Sequence, residues 1–134
     1  MASVSEIEGI GPGYAEKLKG AGVDTVEELL AKGGTAAGRD ALAAAAGVSE
    51  KLVLKWVNHA DLCRIDGIGP QMAELLEAAG VDTVVELGNR NADNLATKLD
   101  EVNAEKNRVN RVPNAPTLEK WIADAKALPR VVTH

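Results

Sequence analysis

Apolar residues along this chain recur at three- and four-residue intervals rather than at alternate positions, which predicts helices throughout and no sheet. Pro12 suits the first turn of a helix, where a missing N–H costs nothing, and Ala15 and Leu18 then form its buried stripe. Pro70, Ala73 and Leu76 repeat that arrangement. Gly22 and Gly80 follow as left-handed caps that end these helices. Thr25 with Glu28, and Thr83 with Glu86, form the capping box that opens the next helix, with Val26/Leu29 and Val84/Leu87 on its buried side. Thr35 opens an alanine-rich helix that Gly47 stops, and Ser49 caps another with Leu52, Trp56, Ala60 and Cys63 on one face. Asn91 opens a helix to about Val102, after which the polar stretch Asn103–Pro116 reads as a short helical turn plus loop. Thr117 caps a last helix, with Leu118, Trp121, Ile122, Ala125 and Leu128 on one face, and Pro129 ends it.

The pattern occurs twice. Residues 7–30 (IEGIGPGYAEKLKGAGVDTVEELL) align with residues 65–88 (IDGIGPQMAELLEAAGVDTVVELG), and the likeness resumes at Lys55-Trp56-Val57 against Lys120-Trp121-Ile122. The second copy is longer, its extra length lying in Asn103–Pro116. The repeats span 4–61 and 62–128, followed by a loose tail at 129–134. The helix from Ser49 to Leu62 runs into Ile65 with no flexible linker, so the expected fold is all-α, two tandem repeats packed as one compact helical unit.

Composition narrows the function. A chain of 134 residues with 46% apolar content can fill a core, and a net charge of −5 repels phosphate polyanions and acidic membranes at long range. Tyr14, Trp56 and Trp121 are the only aromatics, too few to stack successive single-stranded bases, and both tryptophans fall on apolar stripes where core packing explains them. Cys63 is the sole cysteine, so no disulfide forms within the chain. With His59 and His134 it falls short of a Cys/His zinc site, and its place on the Trp56 stripe suits a small buried hydrophobe. His59 and Asp61, two apart, do not share a helical face, and no nucleophile motif, carboxylate pair or Walker-type phosphate loop occurs. No enzyme, metal or cofactor is expected. With neither a signal-like start nor a bilayer-length apolar run, the expectation is a cytoplasmic protein off the membrane.

The glycine turns carry the remaining chemistry. In Gly9-Ile10-Gly11-Pro12 and Gly67-Ile68-Gly69-Pro70 the glycines permit tight backbone angles and close approach, the isoleucine anchors the turn, and the N–H groups of the following helix are available to an anion. The pattern apolar-x-Gly-apolar-Gly-x-x-x-Ala-x-x-Leu, at Ile7–Leu18 and Ile65–Leu76, resembles the helix-hairpin-helix superfamily. Many of its members bind DNA without reading sequence, presenting hairpin amides to phosphates, sometimes with a monovalent cation. More closely, the Gly-Ile-Gly-Pro and Ala-Gly-Val-Asp-Thr-Val turns, Lys55–Leu62 and the Trp121 helix resemble the domain of unknown function 4332 family over nearly the whole chain. That resemblance implies a fold and no activity.

The superfamily resemblance implies phosphate contacts at Gly9, Ile10, Gly11, Gly13 and Lys17, and at Gly67, Ile68, Gly69 and Gln71. A secondary basic contact falls at Lys106, Arg108 and Arg111, which a solvated polar turn explains as well. The charges oppose a strong polyanion site: Leu75 and Glu77 stand where the first copy has Lys17 and Lys19, and Glu6, Glu8 and Glu16, like Asp66 and Glu74, flank the turns. Two functions are therefore expected of a non-catalytic module. One is a structural or adaptor role toward an unknown protein or a second copy, which the acidic surface favours. The other is sequence-independent binding of double-stranded nucleic acid through the hairpin amides.

Overall fold

The computed structural model describes residues 3–7, 9–107 and 109–133; Met1, Ala2, Glu8, Arg108 and His134 lie outside that description. The protein is all-α, as the periodicity predicts. Its helices are α1 (Pro12–Gly20), α2 (Val26–Gly33), α3 (Ala36–Ala46), α4 (Glu50–Leu62), α5 (Pro70–Ala78), α6 (Val84–Gly88), α7 (Ala92–Lys106) and α8 (Ala115–Ala127). A 3-10 turn at Val4–Glu6 and an isolated antiparallel bridge between Ser3 and Thr25 precede α1 and α2. The chain divides into two compact units, Met1–Asp61 with Val131–His134, and Leu62–Arg130.

In the first unit α1 ends in a Schellman motif: Val23 N–H donates to Leu18 O at 2.9 Å and Gly22 N–H to Lys19 O at 3.0 Å. Thr25 then caps α2 with a complete capping box. Its Oγ1 accepts from Glu28 N–H at 3.2 Å, while the Glu28 carboxylate accepts from the backbone N–H groups of Asp24 and Thr25, each at 3.1 Å. Those two donors, Asp24 first, hold the Glu28 carboxyl below its usual range. The alanine-rich α3 packs on α1 and α2, as small side chains allow. The core gathers Val4, Ile7, Ile10, Leu18, Val23, Leu29, Val53 and Trp56, all at 3% exposure or less. Each such aliphatic side chain contributes roughly 1.5–3 kcal/mol on burial.

The second unit repeats this plan. Val81 N–H donates to Leu76 O at 2.8 Å and Gly80 N–H to Glu77 O at 2.9 Å, closing α5 as α1 is closed. Thr83 Oγ1 accepts from Glu86 N–H at 3.3 Å, but the capping box expected of Thr83 and Glu86 is only half formed, because the Glu86 carboxylate is engaged by Arg90 at 3.2 Å instead of returning to the Thr83 backbone. Arg90 also donates to Gly80 O at 2.8 Å and so bridges the turn. Helix α7 packs on α5 and α8, and α8 on α6. Ile65, Ile68, Leu76, Val81, Leu87 and Trp121 are buried where Ile7, Ile10, Leu18, Val23, Leu29 and Trp56 are buried in the first unit.

Four further local expectations change. Helix α7 continues past Val102 to Lys106, because Asn103–Lys106 accommodate a helix on a solvent face and only Asn107, left-handed at φ 50°, stops it. Helix α8 is capped by Asn114, whose Oδ1 accepts from Thr117 N–H at 3.1 Å, so Thr117 lies inside the first turn and Pro116 fills a position where no N–H is needed. The second half of α4, Trp56–Leu62, is buried on every side, including Asn58, His59 and Asp61, rather than along one stripe. Residues 131–133, placed by the sequence in a loose tail, are held: Val132 is 4% exposed and Thr133 N–H donates to Gly34 O at 2.8 Å.

Candidate functional site

Each glycine turn is built from three constraints. Ile10 N–H donates to Ile7 O at 3.0 Å, and Ile68 N–H to Ile65 O at 3.1 Å, closing the turn between two buried isoleucine anchors. Gly9 and Gly67 adopt φ of +91° and +96°, a region that side chains rarely enter. A tryptophan indole supports each turn from inside. A Cβ placed on Gly9 would lie 4.0 Å from Trp56 Nε1, and one on Gly67 only 3.1 Å from Trp121 Nε1. The repeated Gly/Trp pairing is therefore a packing unit, with the tryptophan of each closing helix seated under the glycine of the turn.

The second glycine of each turn obeys neither constraint. Gly11 (φ −84°, ψ −178°) and Gly69 (φ −96°, ψ −175°) have extended backbone that any residue adopts, and a Cβ on either would meet no heavy atom within 4 Å. Both are helix N-caps without a capping side chain. Every other α-helix among the described residues has one: Thr25, Thr35, Ser49, Thr83, Asn91 and Asn114 each accept a first-turn N–H between 3.0 and 3.3 Å. Since Asn, Asp or Ser caps better than Gly, stability alone favours a different residue here. The consequence is geometric. The first-turn N–H groups of Gly13 and Tyr14, and of Gln71 and Met72, have no acceptor within a regular α-helix, and the surface in front of them is open.

The expected contacts sort accordingly. Gly9, Gly11, Gly13 and Lys17 are exposed around the first turn, and Gly67, Gly69 and Gln71 around the second. Ile10 and Ile68 are buried at 3% and 5%, so they hold the turns and present no side chain. The two turns differ in charge and in one aromatic. Lys17 is exposed and its Nζ lies 5.8 Å from the Tyr14 ring centroid, whereas Leu75, its counterpart, is fully buried. Tyr14 is 37% exposed and leans on Trp56, with ring centroids 5.1 Å apart. Sequence reading missed it; the available signal was an aromatic in the first turn of a helix, off the apolar stripe. Lys106 and Arg111 are exposed at the end of α7 and in the loop after it, and Arg108 lies outside the described residues. Asn103 pins that loop, its side-chain amide donating to Val109 O and accepting from Val109 N–H at 3.0 Å each.

Among the described residues no group of three His, Cys, Asp or Glu is placed to hold a metal, and no helix is long and apolar enough to cross a membrane. Burial pushes the Cys63 thiol from an ordinary 9.0 up to about 11. At pH 8 its thiolate fraction is therefore about a hundredfold below that of an open thiol, and iodoacetamide should modify it slower by about that factor until denaturant is added. A rate matching a free cysteine peptide would show the site to be open.

The fold and its turns define a class: an all-α chain of two similar units, each with a tryptophan-supported glycine turn ahead of an uncapped helix. The chain belongs to the family described as Domain of unknown function (DUF4332), whose model matches residues 8–128. No curated protein and no solved structure matches it.

Proposed function

We propose that this protein is a non-catalytic binding module whose two glycine turns, of helix-hairpin-helix type, hold the phosphodiester backbone of double-stranded nucleic acid without reading its sequence. The observation that supports this reading is the pair of bare N-caps. Both copies keep a glycine that neither backbone angle nor packing demands, at the only α-helix starts among the described residues that lack a capping side chain. A side chain there would cover the amides; glycine leaves them to an external acceptor, and a phosphate oxygen suits the positive end of a helix. Lys17 adds one charge at the first turn.

The test sets stability against binding. Gly11→Asp with Gly69→Asp supplies a capping carboxylate at both starts, which should raise stability by about 0.5 kcal/mol per site. The same carboxylates occupy the amides and repel phosphate. The native protein should bind duplex DNA at low salt with an affinity that falls as salt rises, and the better-folded variant should lose that binding. Absence of duplex binding by the native protein at low salt removes this reading.

A second reading is favoured by charge. The net charge of −5 and the replacement of Lys17 and Lys19 by Leu75 and Glu77 suit an adaptor that engages a protein or a second copy of the chain. Sedimentation across a range of concentrations, with and without duplex, separates the two: self-association independent of DNA supports the adaptor.

A further inference from the structure

Beyond α8 the chain contributes residues 131–133 to the first unit. Val132 is 4% exposed among that unit's core residues. Thr133 is bonded chiefly through its main chain: its N–H donates to Gly34 O at 2.8 Å and its carbonyl accepts from Arg39 Nη2 at 2.6 Å, while its Oγ1 makes a longer contact to Gly34 O at 3.4 Å. Arg39 is itself 3% exposed, and its Nη1 donates to the carbonyls of Gly33 and Gly34 at 3.0 Å each. A guanidinium tolerates such burial only when its donors are met, so the Thr133 carbonyl helps keep Arg39 inside.

Gly34 is shaped for the same contact. Its φ of −65° is ordinary helical backbone, so conformation does not require glycine. A Cβ there would lie 2.8 Å from Val131 O and 3.5 Å from Val131 Cγ1, so the approaching segment is one of the features that excludes a side chain. Counted from the caps Thr35 and Asn91 of the corresponding helices α3 and α7, the second repeat has Arg90 and Leu95 in place of Gly34 and Arg39, so the arrangement has no counterpart there.

We propose that Gly33, Gly34 and Arg39 form a peptide-binding seat on the first unit, and that residues 131–133 are its built-in ligand. The seat reads main-chain groups of an extended segment and takes one valine into the core. Its ligand class is a short extended peptide with an apolar residue preceding the residue that Gly34 and Arg39 bond. This is independent of what the glycine turns bind.

Trans-complementation tests it. Removing residues 131–134 should speed amide exchange in α2 and α3 by about ten- to a hundredfold, the loss expected for one buried valine and its flanking hydrogen bonds. A synthetic peptide of residues 129–134, added at millimolar concentration, should restore protection and shift the NMR signals of Gly34 and Arg39 saturably. The same peptide with Val132→Asp should not. Unchanged exchange on truncation, or a truncated protein that is folded and shows no shift with the peptide, overturns the proposal. Should truncation unfold the first unit, the titration is made on the full chain carrying Val132→Asp, whose own segment no longer places an apolar residue in the core. Saturable shifts at Gly34 and Arg39 then support the seat, and their absence overturns it.

Discussion

Trp56→Ala and Trp121→Ala should each destabilise their unit by about 3–5 kcal/mol, the range for removing a buried tryptophan. The two side chains are 1% and 6% exposed. Each removal has two consequences: a cavity in the core, and loss of the floor beneath Gly9 or Gly67, against which the indole Nε1 is set. Trp56 also supports Tyr14, so its loss should additionally alter the first turn's surface. Because these are the only two tryptophans, each variant retains one fluorophore, in the unit that was not mutated. Urea unfolding followed by far-UV dichroism should show the loss, with the remaining tryptophan reporting the intact unit. A decrease below about 1 kcal/mol in either variant would contradict the packing role.

Alanine replacements along a single Gly-Ile-Gly turn should give sharply unequal results. Gly67→Ala should cost about 2–4 kcal/mol, from a left-handed backbone that alanine resists and from a methyl pressed on Trp121. The nearest approach there is 3.1 Å, against 4.0 Å at Gly9, so Gly9→Ala should carry the backbone cost alone, about 1–2 kcal/mol. Gly11→Ala and Gly69→Ala should cost less than about 1 kcal/mol, since only the weaker N-cap preference of alanine is involved. Thermal or urea melts of the four variants test the order. Equal losses at Gly9 and Gly11 would mean that the second glycine has a structural duty, and would withdraw the argument that it is kept for an external acceptor.

Much of the fold could be read without coordinates, and the legible parts share a cause. The Thr25/Glu28 box, the Gly22 and Gly80 helix ends, the Thr35 and Ser49 caps and the Gly47 stop all arise from interactions within a few residues. Side-chain type and spacing therefore determine them directly. Where local choices were degenerate, the reading slipped. Asn114 and Thr117 are both good caps, and Asn103–Lys106 are polar enough for a loop yet helical in fact, ending only at Asn107.

Of the candidate site, the duplicated glycine turns and their anchors were visible in the sequence, but the division of labour inside them was not. Gly9 and Gly11 look alike in the sequence. Only the fold sets Trp56 under the first and open space in front of the second, through a helix some forty residues on. Tyr14 likewise becomes notable only once its exposure is known.

What the sequence by itself determined was the all-α class, most helix ends and the repeated turn, because these follow from hydrogen bonds and apolar stripes closed within one or two helical turns. The tertiary structure alone decided that α4 is buried all round from Trp56, and that Thr133 bonds Arg39 across 94 residues of chain. A contact at that separation leaves no periodic trace in the chain, since its partners are chosen by where two distant segments arrive and by which buried donors still need an acceptor.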